Sequence, residues 1–344
     1  MTRAIEIVLP GVVEPRGLQV RETTVPAPGE GLASVRVEAS GVSFAEQQMR
    51  RGKYYDQPPF PFVPGYDLVG TVTAVGPGVP PALVGKRFAA LTKTGGWASQ
   101  VVLPAADLVP VPDGVDPVEA ETVVVNGITA WQMLHRVAKV RSGGTILVHG
   151  ANGGVGSTLL QLARHKDIRV IGTASPRHHD TVRGLGAIPI DYRDTDLPAR
   201  VREHAPDGVD AVFDHVGGPG VVDSYRLLKR GGTLVSYGSA STRDVAGSSQ
   251  LPVLKLVARL MWWNCAPTGR GAHFFNIWAG KRRAAAFRAK LAEDLGNVLA
   301  LLADGTLTAQ VAARFPLTEA AAAVELAESG TVAGKVVLVP SPAA

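Results

Sequence analysis

The chain has 344 residues, 46 % of them hydrophobic and 19 % charged, with a formal net charge of +5 and a pI near 9.4. That length accommodates two domains with separate cores, and no apolar run approaches the roughly 20 residues of a membrane span. A single cysteine, Cys265, excludes a disulfide framework or a multi-thiolate metal site. The basic residues are scattered rather than interleaved with stacking aromatics, so no nucleic-acid partner is expected, and the positive excess suits an anionic cofactor.

The opening "MTRAIEIVLPG" passes directly into strand-like alternation without the hydrophobic block of a signal peptide, and a cytoplasmic location is expected. Residues 1–125 read as β-rich, with "ASVRVEASGVSF", "LVGTVTAVG", "KRFAAL", "WASQVVLP" and "LVPVP" as strands of a barrel-like domain. "DPVEAETVVVNGITAWQMLHRVAKV" then takes helical spacing, with Asp116 as the cap. From Gly144 strands and helices alternate. "GTILVHG", "IRVIGTA", "IPIDY", "VDAVFDHVG" and "TLVSYGS" read as strands; "GSTLLQLARHKD", "HHDTVRGLGA" and "VVDSYRLLKRGG" read as helices. This predicts a parallel, doubly wound sheet. An apolar, basic and aromatic segment from Leu251 to Trp278 holds three of the five tryptophans, and the tail from Ala284 reads as two helices and a closing strand.

"ILVHGANGGVGSTLLQLA" places a glycine-rich turn between a strand and a helix. There a backbone can approach a pyrophosphate closely, and the helix N-terminus supplies partial positive charge. The candidate phosphate loop is Ala151, Asn152, Gly153, Gly154, Val155 and Gly156, with Ala151 where G-x-G-x-x-G has its first glycine. An NAD site carries an acid about 20 residues further on. Here Ser175, Arg177 and His178 occupy that region, and the nearest acid is Asp180. A hydroxyl and a guanidinium suit a 2′-phosphate, so NADPH is the expected cofactor; the bland alternative is a solvated turn.

At this point the chain resembles the medium-chain dehydrogenase/reductases, in their zinc-independent, quinone oxidoreductase-like branch. "GVSFAEQQMRRGKYYDQPPFPFVPGYDLVGTVTAVG", "NGITAWQML", "GTILVHGANGGVGS", "VIGTAS", "IDYR", "FDHVGG", "GTLVSYGS" and "GKVVLVP" match in order along nearly the whole chain. The resemblance implies an α/β protein with a GroES-like β-barrel domain from both chain ends (1–125 and 284–344) and a Rossmann domain between them (126–283). It also implies a nicotinamide in the cleft and a homodimer. In such proteins Tyr192 lies near the adenosine phosphate, and a Lys or Asn at the position of His178 contacts the 2′-phosphate. Asn126, Thr129, Val216, Gly238 and Ser239 match positions around the cofactor, and Lys335 matches a basic position that approaches its phosphates.

The zinc branch would have Cys at Ser43 and His-Glu at Tyr66-Asp67, together with a four-cysteine lobe that this chain lacks. A zinc centre needs three N, S or O ligands, and no catalytic metal is expected. Quinone-reducing relatives carry Asn at Ser43 and Tyr at Gln48. Hydride transfer to a conjugated acceptor needs no Lewis acid, because delocalisation spreads the developing charge. Tyr54 matches a proton donor of related enoyl reductases, although a cleft-lining aromatic is the alternative. Ser43 and Gln48 are expected to orient substrate or nicotinamide ribose, with Tyr55 and Tyr66 as substrate contacts and Asp67 structural. Trp262 and Trp263 are candidates for an apolar wall against a flat substrate, or for ordinary core and interface. Three functions fit: an NADPH-dependent quinone reductase, an enoyl or 2-alkenal reductase, and a non-catalytic NADPH-binding protein.

Overall fold

The structure is a computed structural model that describes residues 2–242 and 250–340. It contains two compact units, Met1–Ile128 with Gly280–Ala344, and Thr129–Ala279.

The first unit opens with β1 (Thr2–Val8) and β2 (Gln19–Val25), paired antiparallel with Thr2 opposite Val25. Then come β3 (Leu32–Val42), α1 (Phe44–Arg50), β4 (Asp67–Val75), β5 (Arg87–Leu91), β6 (Gln100–Pro104) and β7 (Val109–Pro110). Ala33, Val35, Val37 and Ala39 alternate along β3 into the core, as a period of two requires. α2 (Pro117–Thr122) starts where expected: Asp116 accepts from Val118 N and Glu119 N, and proline occupies the first turn. α3 (Val124–Trp131) continues into wide π-helical turns over Gln132–Ala138.

The second unit holds β8 (Thr145–His149), α4 (Gly154–His165), β9 (Arg169–Ala174), α5 (His179–Gly184), β10 (Ile188–Asp191), α6 (Leu197–His204) and β11 (Val209–Asp214). α7 (Val221–Arg226), β12 (Leu228–Ser236), α8 (Gln250–Cys265) and β13 (Gly271–Phe274) complete it. Its sheet is parallel throughout, in the order β10-β9-β8-β11-β12-β13. The strand order reverses between β8 and β11, and ligands of doubly wound sheets bind at such a point, outside the carboxyl ends of the strands. The expected helix "VVDSYRLLKRGG" ends six residues earlier, at Arg226. Val209 N donates to Leu227 O at 2.9 Å and Leu228 is buried, so sheet pairing and burial override the local helical pattern.

The chain then returns to the first unit through α9 (Ala284–Ala303), β14 (Val311–Pro316), α10 (Ala320–Glu328) and β15 (Lys335–Val339). β15 lies between β14 and β3, with Val337 opposite Gly41. β14, half-exposed at the sheet edge, is an additional strand beyond the two helices and closing strand expected for the tail. Ile7, Val42, Trp97, Val324, Val336 and Leu338 join elements from both chain ends in one core cluster. Among the described residues no helix is long and apolar enough to cross a membrane.

Candidate functional site

The glycine loop lies at the carboxyl end of β8, beside the point where strand order reverses. α4 begins at Gly154 with Gly153 as its cap, and among the described residues no side chain caps the amides of its first turn. Those amides have no intrahelical partner and aim positive partial charge along the axis, the donor set a phosphate requires. Gly156 is required by packing, because a Cβ there would lie 2.2 Å from Gly150 O. Gly153 differs: a Cβ would meet only Gly150 O, at 3.4 Å, so the fold itself leaves that space open. Ala151 is fully buried and donates its N–H to Thr173 O at 2.9 Å, which ties the loop to the end of β9. The loop therefore fits a dinucleotide pyrophosphate, with the amides of Gly154, Val155 and Gly156 to hold it.

Ser175, Arg177 and His178 follow β9 directly. Arg177 is exposed and His178 buried, with no hydrogen-bond partner for His178 Nε2 among the described residues. Tyr192, just past β10, is exposed, with the Arg193 guanidinium 5.1 Å from its ring centroid. Val216 is exposed after β11, while Gly238 and Ser239 are half-buried after β12. These residues, drawn from neighbouring parallel strands, share one end of the sheet. Asn126 and Thr129 are buried on α3, where Asn126 Nδ2 donates to Thr122 O at 3.0 Å.

Beneath the loop lies a polar relay. His149 Nδ1 is 3.1 Å from Thr173 Oγ1, and His149 Nε2 is 3.1 Å from Ser224 Oγ. Ser224 Oγ donates to Asp214 Oδ2 at 2.8 Å, and Asp214 Oδ1 accepts from Val216 N and Gly217 N at 2.8 and 2.9 Å. Burial holds the His149 and His215 imidazoles below their ordinary range, against the Asp214 carboxylate, which pulls both upward.

In the first unit, Ser43 caps α1. Its hydroxyl accepts from Ala45 N at 3.2 Å and donates to Glu46, which in turn accepts from Ser43 N. Glu46 also accepts from Tyr66 N at 2.6 Å, and its carboxyl is raised by burial and then by Asp67. Tyr54 and Tyr66 are buried, with their hydroxyls 2.7 Å apart. Burial first, then Tyr66 and Tyr55, holds the Tyr54 hydroxyl well above the usual phenol range, so it stays protonated. Tyr55 is exposed, stacked obliquely on Tyr54 with 4.7 Å between centroids, and its phenol is also raised by burial. Gln48 is buried, and neither its Oε1 nor its Nε2 finds a partner among the described residues. An orphaned buried amide costs roughly 1–3 kcal/mol, which a ligand's polar groups can offset.

Lys335 lies in a different environment from the one its resemblance implies. Its ammonium is buried, 2.6 Å from Asp67 Oδ2 and 2.7 Å from Glu121 Oε1, and so is committed to two carboxylates. Burial pulls this ammonium down, but Asp67 and Glu121 outweigh it and hold it above its ordinary value. Asp67 also accepts from Val125 N at 2.9 Å, a structural assignment that agrees with the sequence. Trp262 and Trp263 do not form one wall. Trp263 is buried and stacks on Tyr225 with 4.2 Å between centroids, while Trp262 is 67 % exposed on another face of α8. Adjacent helical residues point about 100° apart.

Among the described residues, no group of three His, Cys, Asp or Glu side chains converges as metal ligands. Glu46 went unnoticed in the sequence although "SFAE" carries the S-x-x-E capping signal. The pairing of Ser224 and Asp214 with His149 has no sequence signal, since fold topology alone brings them together.

Comparison with known proteins gives a consistent relationship. The family description "Alcohol dehydrogenase GroES-like domain" matches residues 29–113, and "Zinc-binding dehydrogenase" matches residues 185–338. The chain is 34 % identical over 335 residues to the synaptic vesicle membrane protein VAT-1 homolog of Rattus norvegicus, covering 94 % of this chain and 81 % of that protein. It is 31 % identical over 317 residues to the phthioceranic/hydroxyphthioceranic acid synthase of Mycobacterium tuberculosis, covering 90 % of this chain but 14 % of the synthase. The Escherichia coli quinone oxidoreductase solved in complex with NADPH superposes with a TM-score of 0.84 at 25 % identity, over 98 % of this chain and 100 % of that one.

Proposed function

Because the chain belongs to the medium-chain dehydrogenase/reductase family of oxidoreductases, in its quinone oxidoreductase-like branch, we propose that it is an NADPH-dependent reductase of quinones or other conjugated carbonyl acceptors that works without a metal. The observation that carries this reading is the open helix N-terminus at Gly153–Gly156, followed one strand later by Ser175, Arg177 and His178 in place of an acid. The amides of residues 154–156 would hold the pyrophosphate, and Arg177 and His178 would face the 2′-phosphate. The NADPH bound to the Escherichia coli relative supports the same choice. When bound, that cofactor supplies a hydride.

The chain's own part is to bind, orient and protonate. Tyr54 shares a hydrogen bond with the Tyr66 hydroxyl and stays protonated, so it is the candidate donor to an acceptor oxygen. The orphaned Gln48 amide is available to a substrate carbonyl or a ribose hydroxyl. Delocalisation in the acceptor and a phenol donor together take the place of a Lewis acid. The match to the mycobacterial synthase favours a second reading, an enoyl reductase acting on an α,β-unsaturated thioester or ketone.

The assay is NADPH oxidation by the purified protein against a quinone panel and an enone panel. Turnover of both supports the first reading, and turnover of enones alone moves the assignment to the second. Tight NADPH binding with no turnover leaves a non-catalytic cofactor-binding protein. We also place the protein in the cytoplasm, as a homodimer. Among the described residues β13 ends its sheet, paired to β12, and neighbouring α8 exposes Leu254, Met261 and Trp262, a face suited to a second copy.

A further inference from the structure

The relay under the glycine loop can be assigned proton by proton. Ser224 donates its only proton to Asp214 Oδ2, so at His149 Nε2 it must accept. His149 therefore carries its hydrogen on Nε2, and Nδ1 is an acceptor. Thr173 Oγ1 must then donate to Nδ1, which leaves its lone pairs for Gly150 N–H at 3.3 Å. Asp214 Oδ1 takes the amides of Val216 and Gly217 at the far end. Each member has one consistent role, and the direction runs unbroken from the Gly150 amide to the Asp214 carboxylate. The neutral ring that this requires agrees with its burial.

The relay joins the carboxyl ends of β8, β9 and β11, and its two ends are Gly150, immediately before the glycine loop, and the loop after β11. Both loops stand at the end of the sheet where strand order reverses. We propose that His149 is a positioning residue for the dinucleotide: it locks the glycine loop and the Val216–Gly217 loop in one fixed register, so that their backbone groups are preset for the cofactor. This rests on the reading of the glycine loop as a cofactor site.

Four variants and three measurements test it. His149→Phe keeps a ring and removes both hydrogen bonds, His149→Gln keeps a group near Nε2, His149→Asn keeps one near Nδ1, and Ser224→Ala breaks the relay from the other side. The measurements are the NADPH Kd by fluorescence titration, acceptor KM at saturating NADPH, and amide exchange in the cofactor-free protein. Loss of two hydrogen bonds is expected to weaken NADPH roughly tenfold in His149→Phe, with Asn and Gln intermediate and acceptor KM within about twofold of wild type. Exchange at Gly150, Val216 and Gly217 should quicken together, while the interior of α4 stays protected. An NADPH Kd within about twofold of wild type in both His149→Phe and Ser224→Ala, with unchanged exchange at those amides, overturns the proposal. If His149→Phe does not fold, Ser224→Ala carries the test. If the wild-type chain binds no nicotinamide nucleotide, the cofactor reading fails separately, and coupled exchange of the two loops still decides whether the relay holds them.

Discussion

The Tyr54 and Tyr66 hydroxyls meet at 2.7 Å, across a T-shaped pair of rings with centroids 6.2 Å apart. Burial keeps Tyr54 protonated. Its hydroxyl, held between Tyr66 and Tyr55, therefore keeps its proton and is the candidate donor to an acceptor oxygen. Tyr54→Phe is expected to lower kcat for an enone about 100–10,000-fold, the range of general acid catalysis, with NADPH Kd unchanged. The wild-type rate should show no tyrosine titration up to about pH 10, the ordinary phenol value. An unchanged enone rate in Tyr54→Phe removes this residue from the chemistry.

Gly153 and Gly156 separate folding from binding. Gly156→Ala forces a Cβ against Gly150 O at 2.2 Å, so both melting temperature and NADPH affinity should fall. Gly153→Ala meets only a 3.4 Å neighbour, so its melting temperature should stay close to wild type while NADPH affinity drops. Equal loss of stability in both variants would show that the space at Gly153 serves the fold instead.

Lys335 neutralises two carboxylates whose side chains are 0 % exposed. Lys335→Met leaves them facing one another, and breaking a buried pair in this way costs about 3–5 kcal/mol. Burial and then Asp67 push the Glu121 carboxyl upward, so it takes up a proton on acidification, and the deficit should shrink as pH falls. Urea unfolding at two pH values measures this. A variant with wild-type stability but weakened NADPH binding would return Lys335 to the cofactor.

The glycine-rich strand–turn–helix was legible because its signal is local: glycines, a strand before and a helix after lie within one stretch. The barrel strands were legible for the same reason, through alternation between turns. Contacts across the chain were not. Nothing in the spacing of Asp67, Glu121 and Lys335 shows that they converge, and a match to a family position led toward phosphates. Trp262 and Trp263 look alike in sequence, and only the rotation of α8 sends one into the core and the other to solvent. β14 escaped notice because a half-exposed edge strand, "VAARFP", carries no clean alternation.

Histidine burial gives the second unit a defined pH response. His149 and His215 titrate below the ordinary value of about 6.5, so between those values the unfolded chain binds protons that the folded one does not. Stability of this unit should level off above about pH 6.5 and fall as the pH drops below it. Amide exchange in β8 and β11 is the suitable readout, because Glu46 and Glu121 of the other unit are shifted upward and respond with the opposite sign. Constant protection from pH 7.5 to pH 5, about one and a half units below the ordinary histidine value, contradicts this account.

The exposed face of α8 predicts association. Trp262→Glu places a charge on a side chain that is 67 % exposed in one chain, so the monomer fold should survive. Light scattering should show a dimer for the wild type and a monomer for the variant; a monomeric wild type excludes this surface as a self-contact.

The antiparallel pairing of β15 with β3 has a consequence for synthesis. Val337 must find Gly41, and Lys335 must reach Asp67 across 268 positions, after the whole second unit has emerged from the ribosome. The inserted unit can complete its sheet first. Until then β3 has an open edge and two core carboxylates wait for their cation, so β15, made after the inserted unit, is the strand that covers that edge.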